Sequence, residues 1–229
     1  MNRLSFDFRG EHLEALGSGA LHWPARSVLV VSDLHLGKCA RLSATGGAAL
    51  PPYDARETLG RLERDIAATS PAHVICLGDS FDTADIRAHL PMEERSRIAD
   101  LAGARRWTWI EGNHDPGTAG LGGETRADLG LGPLTFRHIA RPDPGGEISG
   151  HYHPKARLAL RGRMISRPCF LLDAERLILP AYGAYTGGLR TDSPTLSDLM
   201  APDAHAILCG PKPVRIPMPR AAVQARTGT

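Results

Sequence analysis

The stretch SVLVVSDLHLGK, residues 27–38, joins a short β-branched apolar run to a carboxylate and an imidazole two positions apart. The stretch HVICLGDSFD, residues 73–82, repeats this arrangement, with Asp79 just beyond the apolar run. Short apolar runs of this kind, bounded by Gly or Pro, are typical of buried strands. The two stretches therefore predict two strands whose carboxyl ends carry Asp33, His35 and Asp79.

Helical and strand patterns alternate between and beyond these two stretches. Residues 53–70 carry apolar side chains at helical spacing, with Asp54 as the expected N-cap, and residues 92–102 predict a second helix. Residues 106–110 are a third strand candidate, which leads into Asn113. The βαβ order predicts a parallel sheet, in which functional side chains gather beyond the carboxyl ends of the strands.

The second half of the chain consists of short strand candidates separated by turn residues. This pattern predicts a second, largely antiparallel sheet, followed by a tail from Pro219 that we expect to be loose. The strand candidates are residues 133–138, 147–150, 157–160, 169–173, 176–179, 204–209 and 214–217.

Length and composition favour one globular domain. The chain has 229 residues, of which 42% are hydrophobic and 23% charged, and this length allows a substantial buried core. We therefore expect a single domain over residues 1–229. Its parts are N-terminal strands in 1–26, the polar motifs in 27–154, completion of the second sheet in 155–218 and the tail in 219–229.

Composition also limits the class of function. No apolar run approaches the roughly 20 residues that a membrane helix needs, so we expect a cytoplasmic protein with no membrane contact. The formal net charge of +2 gives no bulk attraction to nucleic acid, so a polyanion would have to be bound by a local patch. The four cysteines form no C-x-x-C pair, which argues against a disulfide framework and a thiolate zinc site.

The first two motifs supply carboxylates and one imidazole. An isolated pair such as Asp33 and His35 is more often a turn aspartate beside a packed histidine, so its weight depends on the other motifs. Asp79 follows Gly78, which permits a tight turn, and a carboxylate there can bridge two metals about 3.5–4 Å apart. Asp82 is expected to hydrogen-bond a ligand imidazole, with an ordinary helix N-cap as the alternative.

The motif at residues 112–115 combines an amide oxygen that can bind a metal, on Asn113, with an adjacent histidine that is turned away from it. We interpret His114 as a catalytic residue that is not a ligand and that stabilises the phosphoryl oxygens or protonates the leaving alkoxide. Asp115 would hold this imidazole charged and oriented. The alternative is an ordinary Asn-His turn.

Three further histidines complete the set. His151 and His153 follow a strand candidate, and the alternation of strand side chains would project both to one face with Tyr152 opposite. Two imidazoles placed in this way can serve one metal each. His138 is expected to be a ligand as well, although a strand histidine is often satisfied by a backbone partner instead.

Residues 32–154 carry, in this order, the motifs D-x-H, G-D-x-x-D, G-N-H-D, a lone His and G-H-x-H. This series of motifs resembles that of the calcineurin-like metallophosphoesterase superfamily. The resemblance implies an α/β fold, a four-layer α/β/β/α sandwich of two packed mixed sheets flanked by helices, with two metals in a cleft above the sheets. It assigns Asp33, His35, Asp79 and His153 to metal one, and Asp79, Asn113, His138 and His151 to metal two.

The resemblance also implies a reaction. We hypothesise that the two cations lower the pKa of a bridging water, so that hydroxide attacks phosphorus in line and a phosphodiester bond is hydrolysed. Asp79, as the residue shared by both metals, would be essential for this reaction. Oxygen and nitrogen ligands without thiolate suit Mn²⁺, Fe, Co²⁺, Ni²⁺ or Zn²⁺, and the resemblance favours Mn²⁺.

Further segments resemble a narrower group, the ligase-associated DNA-damage-response phosphoesterases of the PdeM family. These are LHWP at residues 21–24, DLHLGK at 33–38 and PAYGAYTGGL at 180–189. The resemblance implies a DNA-repair nuclease with DNA ligase or other repair proteins as partners, and a homodimer is compatible with the sequence. Two other functions stay open: a small-molecule phosphomonoesterase or cyclic-nucleotide phosphodiesterase, and a metal-stabilised scaffold without turnover, against which the intact G-N-H-D motif argues.

Candidate contacts to a nucleic acid are less specific. Arg137 and other arginines near the histidine motifs suit phosphate, with a strand edge protected by charge as the alternative. Lys38 and Arg41 would line the rim of the site or belong to the surface of a Gly-rich loop. Tyr182 and Tyr185 would stack on a base or pack beneath their loop.

Replacing His114 by alanine should leave the metal content unchanged and lower kcat toward an activated phosphodiester by about 10²- to 10⁴-fold, the usual contribution of general acid catalysis. Metal analysis and steady-state kinetics measure the two quantities. A His114→Ala variant with full activity would contradict the assigned role.

Overall fold

Two β-sheets packed face to face form the centre of the computed structural model, which describes residues 2–39, 53–82, 90–113, 121–142, 145–160 and 162–221. Helices cover the outer face of each sheet, so the layers follow the order α/β/β/α. The predicted fold class, a four-layer sandwich of two mixed sheets, is confirmed.

The strands of the first sheet lie side by side in chain order. They are β1 (Arg3–Phe8), β2 (Glu11–Leu16), β3 (Leu21–Trp23), β4 (Val28–Val31), β5 (His73–Leu77), β6 (Arg106–Ile110) and β7 (Glu124–Arg126), with a 3₁₀ turn at Pro24–Arg26 before β4. Strands β1 to β4 pair antiparallel, whereas β4 to β7 pair parallel. The parallel half matches the predicted βαβ pattern.

Helices α1 (Asp54–Thr69) and α2 (Met92–Gly103) pack on the outer face of the first sheet. The prediction that Asp54 is the N-cap of α1 is wrong, because the helix begins at Asp54 and the N-cap is Tyr53. The Asp54 carboxylate instead accepts a hydrogen bond from the backbone N–H of Cys39 at 3.0 Å. This contact ties α1 to the segment that follows the first motif.

The second sheet has the strand order β15-β14-β12-β13-β10-β9-β8, with β11 paired to β12. Its strands are β8 (Asp128–Leu131), β9 (Leu134–Arg137), β10 (Glu147–Ser149), β11 (Lys155–Leu160), β12 (Arg163–Leu172), β13 (Arg176–Ile178), β14 (His205–Leu208) and β15 (Val214–Pro217). The pairing is antiparallel except at β10, which runs parallel to both β9 and β13. The carboxyl ends of β9 and β10 consequently lie at the same edge.

Helix α3 (Pro194–Leu199) covers the outer face of the second sheet, where Leu196 is buried against Ala206 of β14. No helix in the described part of the chain is long and apolar enough to cross a membrane.

The inner faces of the two sheets form the main core. Alternation along the strands directs Val30 of β4 and Ile75 of β5 toward Phe136 and Phe170 of the second sheet, and all four side chains are fully buried. Each such side chain contributes about 1.5–3 kcal/mol by leaving water. This apolar layer fixes the distance between the two sheets, and thereby between the polar loops at their edges.

Arg220 holds the chain after β15 against the end of α3. Its guanidinium donates hydrogen bonds to the backbone carbonyl oxygens of Ser197 and Met200, at 3.1 and 3.0 Å. The last carbonyl groups of a helix have no partner within the helix, so a cation can satisfy them. Residues 219–221 are therefore not loose as predicted, and residues 222–229 lie outside the described part of the chain.

Replacing Phe170 by alanine should lower the free energy of unfolding by about 3–5 kcal/mol, because it leaves a cavity between the sheets. Met164 on the same strand has an exposed fraction of 55%, so Met164→Ala is the matched control and should change stability by less than about 0.5 kcal/mol. Urea unfolding measures both. Equal losses for the two variants would contradict the placement of Phe170 in the core.

Candidate metal centre

The residues predicted as metal ligands lie at one edge of the sandwich, just beyond the ends of strands. Because β4, β5 and β6 run parallel, and β9 and β10 run parallel, their carboxyl ends bring distant motifs together. Asp33 and His35 follow β4, Asp79 follows β5, Asn113 follows β6, His138 follows β9, and His151 and His153 follow β10.

Asp33, His35 and His153 form a first group. The Nε2 atoms of His35 and His153 are 3.4 Å apart, and Asp33 Oδ1 lies 3.1 Å from His153 Nε2. Asp33 Oδ2 accepts hydrogen bonds from the Ser32 hydroxyl and from the backbone N–H of His151. Oδ1 is buried, and apart from its contact with His153 the described residues offer it no hydrogen-bond donor. One oxygen is therefore anchored by the protein, and the other is presented to the imidazoles.

Asp79, Asn113, His138 and His151 form a second group around His138 Nε2. Asn113 Oδ1 lies 2.9 Å, His151 Nδ1 3.2 Å and Asp79 Oδ2 3.5 Å from this nitrogen. His138 Nδ1 lies 2.8 Å from the carbonyl oxygen of Leu77, so Nδ1 carries the hydrogen and donates a hydrogen bond to that oxygen. In the neutral imidazole Nε2 then presents its lone pair to the group. A hydrogen bond to the backbone was the expected alternative to metal binding by His138. That hydrogen bond is present, but it uses Nδ1 and leaves Nε2 for the group.

Divalent metal ions fit both groups. Ligand atoms about 2.1 Å from one ion are about 3.0–3.4 Å apart at octahedral or tetrahedral angles, and the separations above range from 2.9 to 3.5 Å. An ion in the first group would bind the buried Asp33 Oδ1, to which the described residues donate no regular hydrogen bond. The groups also adjoin each other, since His138 Nδ1 lies 3.9 Å from Asp33 Oδ1. The described residues thus offer two adjacent sites for a divalent ion.

The charges in the site favour a positively charged occupant. Burial raises the pKa of the Asp33 carboxyl, but the imidazoles of His153 and His138 and the Ser32 hydroxyl outweigh burial and leave that pKa below its usual range. Burial lowers the pKa of His138, but the carboxylates of Asp79 and Asp33 raise it above its usual value. The carboxylates therefore attract a proton, and a metal cation would satisfy the same attraction.

The pKa of His151 is shifted in the opposite direction to the pKa of His138. Burial and the neighbouring charge of His138 lower the pKa of His151, although the carboxylates of Asp33 and Asp79 act against this shift. A histidine that stays neutral can serve as a metal ligand without first losing a proton.

Five of these residues have left-handed backbones. The φ angles are 52° for Asp33, 45° for His35, 45° for Asp79, 69° for His151 and 47° for His153. Such conformations cost of the order of 1–3 kcal/mol each for residues other than glycine, and they concentrate at functional sites. The side chains are thus aimed by sharp turns beyond the strands. The reason predicted for the positions of His151 and His153, side-chain alternation along a strand, is wrong, because neither residue lies in a strand.

Two glycines allow the loops to come this close. A Cβ atom at Gly78 would lie 2.5 Å from Cγ of the His138 ring, and one at Gly150 would lie 2.6 Å from Asp33 Oδ2. Real Cβ atoms do not approach other atoms so closely, so a side chain at either position would displace a residue of the site. The glycines of the G-D and G-H motifs are therefore needed because no side chain fits at these two positions.

Asp82, predicted to hydrogen-bond a ligand imidazole, lies beside the first group. Its Oδ1 is 3.5 Å from His35 Nδ1, and both side chains are buried. A carboxylate at this position orients the imidazole and favours Nε2 as the nitrogen that faces the site.

The remaining predicted residues divide into several cases. His114, Asp115 and Arg41 lie outside the described residues. Lys38 is half-buried just after the first motif. Arg137, predicted to contact substrate, donates a hydrogen bond to Glu147 at 2.9 Å and is largely buried.

The two predicted tyrosine contacts differ in exposure. Tyr182 is completely buried and its hydroxyl donates a hydrogen bond to Asp65 at 2.8 Å, so the prediction that it stacks on a base is wrong and the alternative, packing beneath the loop, applies. Tyr185 has an exposed fraction of 52%.

The segment at residues 180–189 supports the site through its backbone. The N–H groups of Tyr182 and Gly183 donate to the carbonyl oxygens of Ser32 and Asp33, at 2.8 and 3.1 Å. Side-chain types could not reveal this role, because the contacts are made by main-chain atoms. The segment thus fixes the backbone of Ser32 and Asp33 by two main-chain hydrogen bonds.

Comparison with known proteins agrees with this geometry. The family model described as calcineurin-like phosphoesterase matches residues 26–166, more than half of the chain. The chain belongs to the calcineurin-like phosphoesterase family. The crystal structure of Pseudomonas putida nuclease MPE is similar to it, with a TM-score of 0.73 and 30% sequence identity over 93% of this chain and 100% of that chain. Comparison with curated proteins gives no match.

Membership of this family makes the chain a hydrolase of the metallophosphoesterase type and explains the two adjacent ligand groups as sites for divalent metals. The similarity to the nuclease extends beyond the family model, because it covers nearly the whole chain, including the second sheet.

Replacing Gly78 by alanine should weaken metal binding in the second group by about 10- to 100-fold, because the new methyl group displaces the His138 ring and its hydrogen bond to Leu77. Gly10 has a similar φ of 80° but nothing within 4 Å of the added Cβ, so Gly10→Ala is the control for backbone strain alone. Titration with metal, followed calorimetrically, measures the affinity. Equal metal affinities for the two variants would exclude the steric explanation.

Proposed function

We propose that this phosphoesterase is a two-metal phosphodiesterase that acts on nucleic acid. The observation that carries the proposal is the convergence of oxygen and imidazole nitrogen atoms in two adjoining groups. Neighbouring atoms lie 3.1–3.4 Å apart in the first group and 2.9–3.5 Å from His138 Nε2 in the second. In the proposed assignment Asp79 is shared. Metal one is held by Asp33, His35, Asp79 and His153, and metal two by Asp79, Asn113, His138 and His151.

When bound, two divalent cations would activate water as a nucleophile and neutralise charge on the phosphoryl oxygens. The chain's own groups orient the ligands for this purpose: Asp82 faces His35, and the Leu77 carbonyl oxygen accepts a hydrogen bond from His138. His114 would donate a proton to the leaving alkoxide, with Asp115 as the group that orients it.

A cavity beside the second group offers room for the substrate. It has a volume of about 370 Å³ and is lined by Asn113 and His138 together with Arg137 and Arg141. Arg137 is largely buried, whereas the Arg141 side chain is 61% exposed and lies 3.0 Å from Asp128. An exposed guanidinium with one surface carboxylate partner can turn to a substrate phosphate at little cost, because such surface pairs contribute at most about 1 kcal/mol. Arg141 is therefore the proposed phosphate contact here.

Nucleic acid is the proposed substrate because the similar solved structure is described as a nuclease. The resemblance of residues 21–24, 33–38 and 180–189 to the PdeM family extends the proposal to DNA repair in the cytoplasm, with DNA ligase or another repair protein as a partner. For the metals, oxygen and nitrogen ligands without thiolate suit Mn²⁺, Fe, Zn²⁺, Co²⁺ and Ni²⁺ alike, and among these ions the family resemblance favours Mn²⁺.

A substrate panel tests the proposal. Protein stripped of metal with a chelator should be inactive, and Mn²⁺ should restore hydrolysis of bis-nitrophenyl phosphate and of an oligonucleotide. Nitrophenyl phosphate and a cyclic nucleotide should be hydrolysed much more slowly. Preference for the monoester would favour the phosphomonoesterase alternative, and bound metal without turnover of any ester would favour the scaffold.

Replacing Asp79 by asparagine should lower the metal content from two ions to one or none and reduce kcat/KM for the diester by about a thousandfold or more, because the shared carboxylate is lost. Asp203 is exposed and distant from the two groups, so Asp203→Asn is the matched control for the loss of one negative charge. Metal analysis and kinetics measure both effects. An Asp79→Asn variant that keeps two ions would refute the bridging assignment.

A further inference from the structure

A basic cleft lies next to the metal centre and is separate from the cavity described above. Its volume is about 500 Å³. One wall is formed by the turn at residues 17–19 with Gly210, and the other by α1 and residues 183–186. Three cations line it, namely Arg61, Lys155 and Arg167. Among the described residues that line the cleft, Glu57 is the only carboxylate.

Within the described parts of the chain, two of these cations have no charged partner. Arg167 is exposed and forms no ion pair with any residue that the structure describes. Lys155 donates one hydrogen bond, from Nζ to the carbonyl oxygen of Thr186 at 2.9 Å, which leaves donors for a further acceptor. Arg61 differs, since it donates to the Tyr182 carbonyl oxygen at 3.0 Å and lies 3.4 Å from the carboxylate of Glu57. The cleft therefore holds excess positive charge that the described residues do not neutralise.

An aromatic side chain stands at the same cleft. Tyr185 lines it with an exposed fraction of 52% and has a left-handed backbone, with a φ of 56°. Such a conformation is rare for a bulky residue and is sustained only when the surrounding structure requires it. An exposed ring beside unpaired cations is the combination that proteins use to bind a base and its phosphate together.

The wall of the cleft is directly connected to the first metal group. The backbone N–H of Gly183, which lines the cleft, donates to the carbonyl oxygen of Asp33 at 3.1 Å. Lys155 follows His153 by two residues, so their Cα atoms are at most about 7 Å apart. A stacked nucleic-acid strand rises about 3.4 Å per nucleotide. The cleft is thus within a few nucleotides of a phosphate that lies between the two ligand groups.

We propose that this cleft binds a phosphodiester of the substrate strand a few nucleotides from the bond that is cleaved. Arg167 and Lys155 contact the phosphate, and Tyr185 stacks on the adjoining base. The strand is unpaired at this point, because a base inside a duplex has both faces covered by its neighbours and could not stack on Tyr185. The proposal rests on the proposed function, since it concerns how that substrate is held.

Binding of a fluorescent oligothymidylate, measured by anisotropy in excess chelator, tests the cleft without any cleavage. Each phosphate contact to a single strand contributes about 0.7 to the slope of log Kobs against log salt concentration. Arg167→Ala should lower this slope by about 0.7, and combining it with Lys155→Gln should lower it by about 1.4 and weaken binding about tenfold. Arg163, exposed on the same strand but outside the cleft, provides the control Arg163→Ala, which should leave the slope unchanged.

The stacking contact has its own test. Tyr185→Leu should weaken oligothymidylate binding about tenfold, the usual loss when one base loses its aromatic partner. Tyr53 is exposed outside the cleft, so Tyr53→Leu controls for the loss of a surface tyrosine. If the cleft variants and their controls have equal affinities and equal salt slopes, the proposal is wrong.

Turnover separates this proposal from the proposed function. In Mn²⁺, the ratio of kcat/KM for the oligonucleotide to kcat/KM for bis-nitrophenyl phosphate should fall about tenfold in the double variant, because the small ester is too short to reach the cleft. If the unmodified protein hydrolyses no diester, the proposed function fails, while the binding measurements still decide the cleft. If it hydrolyses diesters and the ratio does not change, the cleft proposal fails alone.

Discussion

The hydrogen bond from His138 to the carbonyl oxygen of Leu77 is the interaction on which the site depends most. It joins the end of β9 in the second sheet to the end of β5 in the first sheet, at the rim of an otherwise apolar interface. A buried hydrogen bond of this kind contributes only about 1 kcal/mol to stability. Its main effect is chemical, because it places the proton on Nδ1 and so leaves Nε2 facing Asn113, Asp79 and His151.

A buried carboxylate also stabilises the loops that carry the site histidines. Glu147 on β10 is completely inaccessible and accepts hydrogen bonds from Arg176 and Arg137, both at 2.9 Å, and from the backbone of Arg141 at 2.8 Å. These contacts join β9, β10 and β13 just beneath His138. Removing one partner of such a buried pair commonly costs about 3–5 kcal/mol. The polar network therefore holds the histidine loops in place where the apolar core ends.

Residue types and their position after strands were enough to predict two sheets and the convergence of polar side chains at one edge, whereas the family resemblance supplied the four-layer sandwich and the division of those side chains into two groups. Asp33, His35 and Asp79 could be found because short apolar runs mark buried strands and functional groups follow them. The manner in which they converge could not be predicted, since left-handed turns beyond the strands, not alternation within them, aim the side chains. Tyr182 was misjudged because composition does not show that a hydroxyl meets a buried partner such as Asp65.

The sequence separation within the site has a consequence for folding. The backbone N–H of His151 bonds to Asp33 across 118 positions, and the first group likewise joins Asp33 to His153. Contacts between such distant residues form late, because the entropy of closing long loops must be offset by strand pairing that is already present. The two ligand groups therefore exist only after both sheets have paired. Metal affinity is then coupled to completion of the whole fold, so that ions would stabilise the fully native state and none of its partly folded precursors.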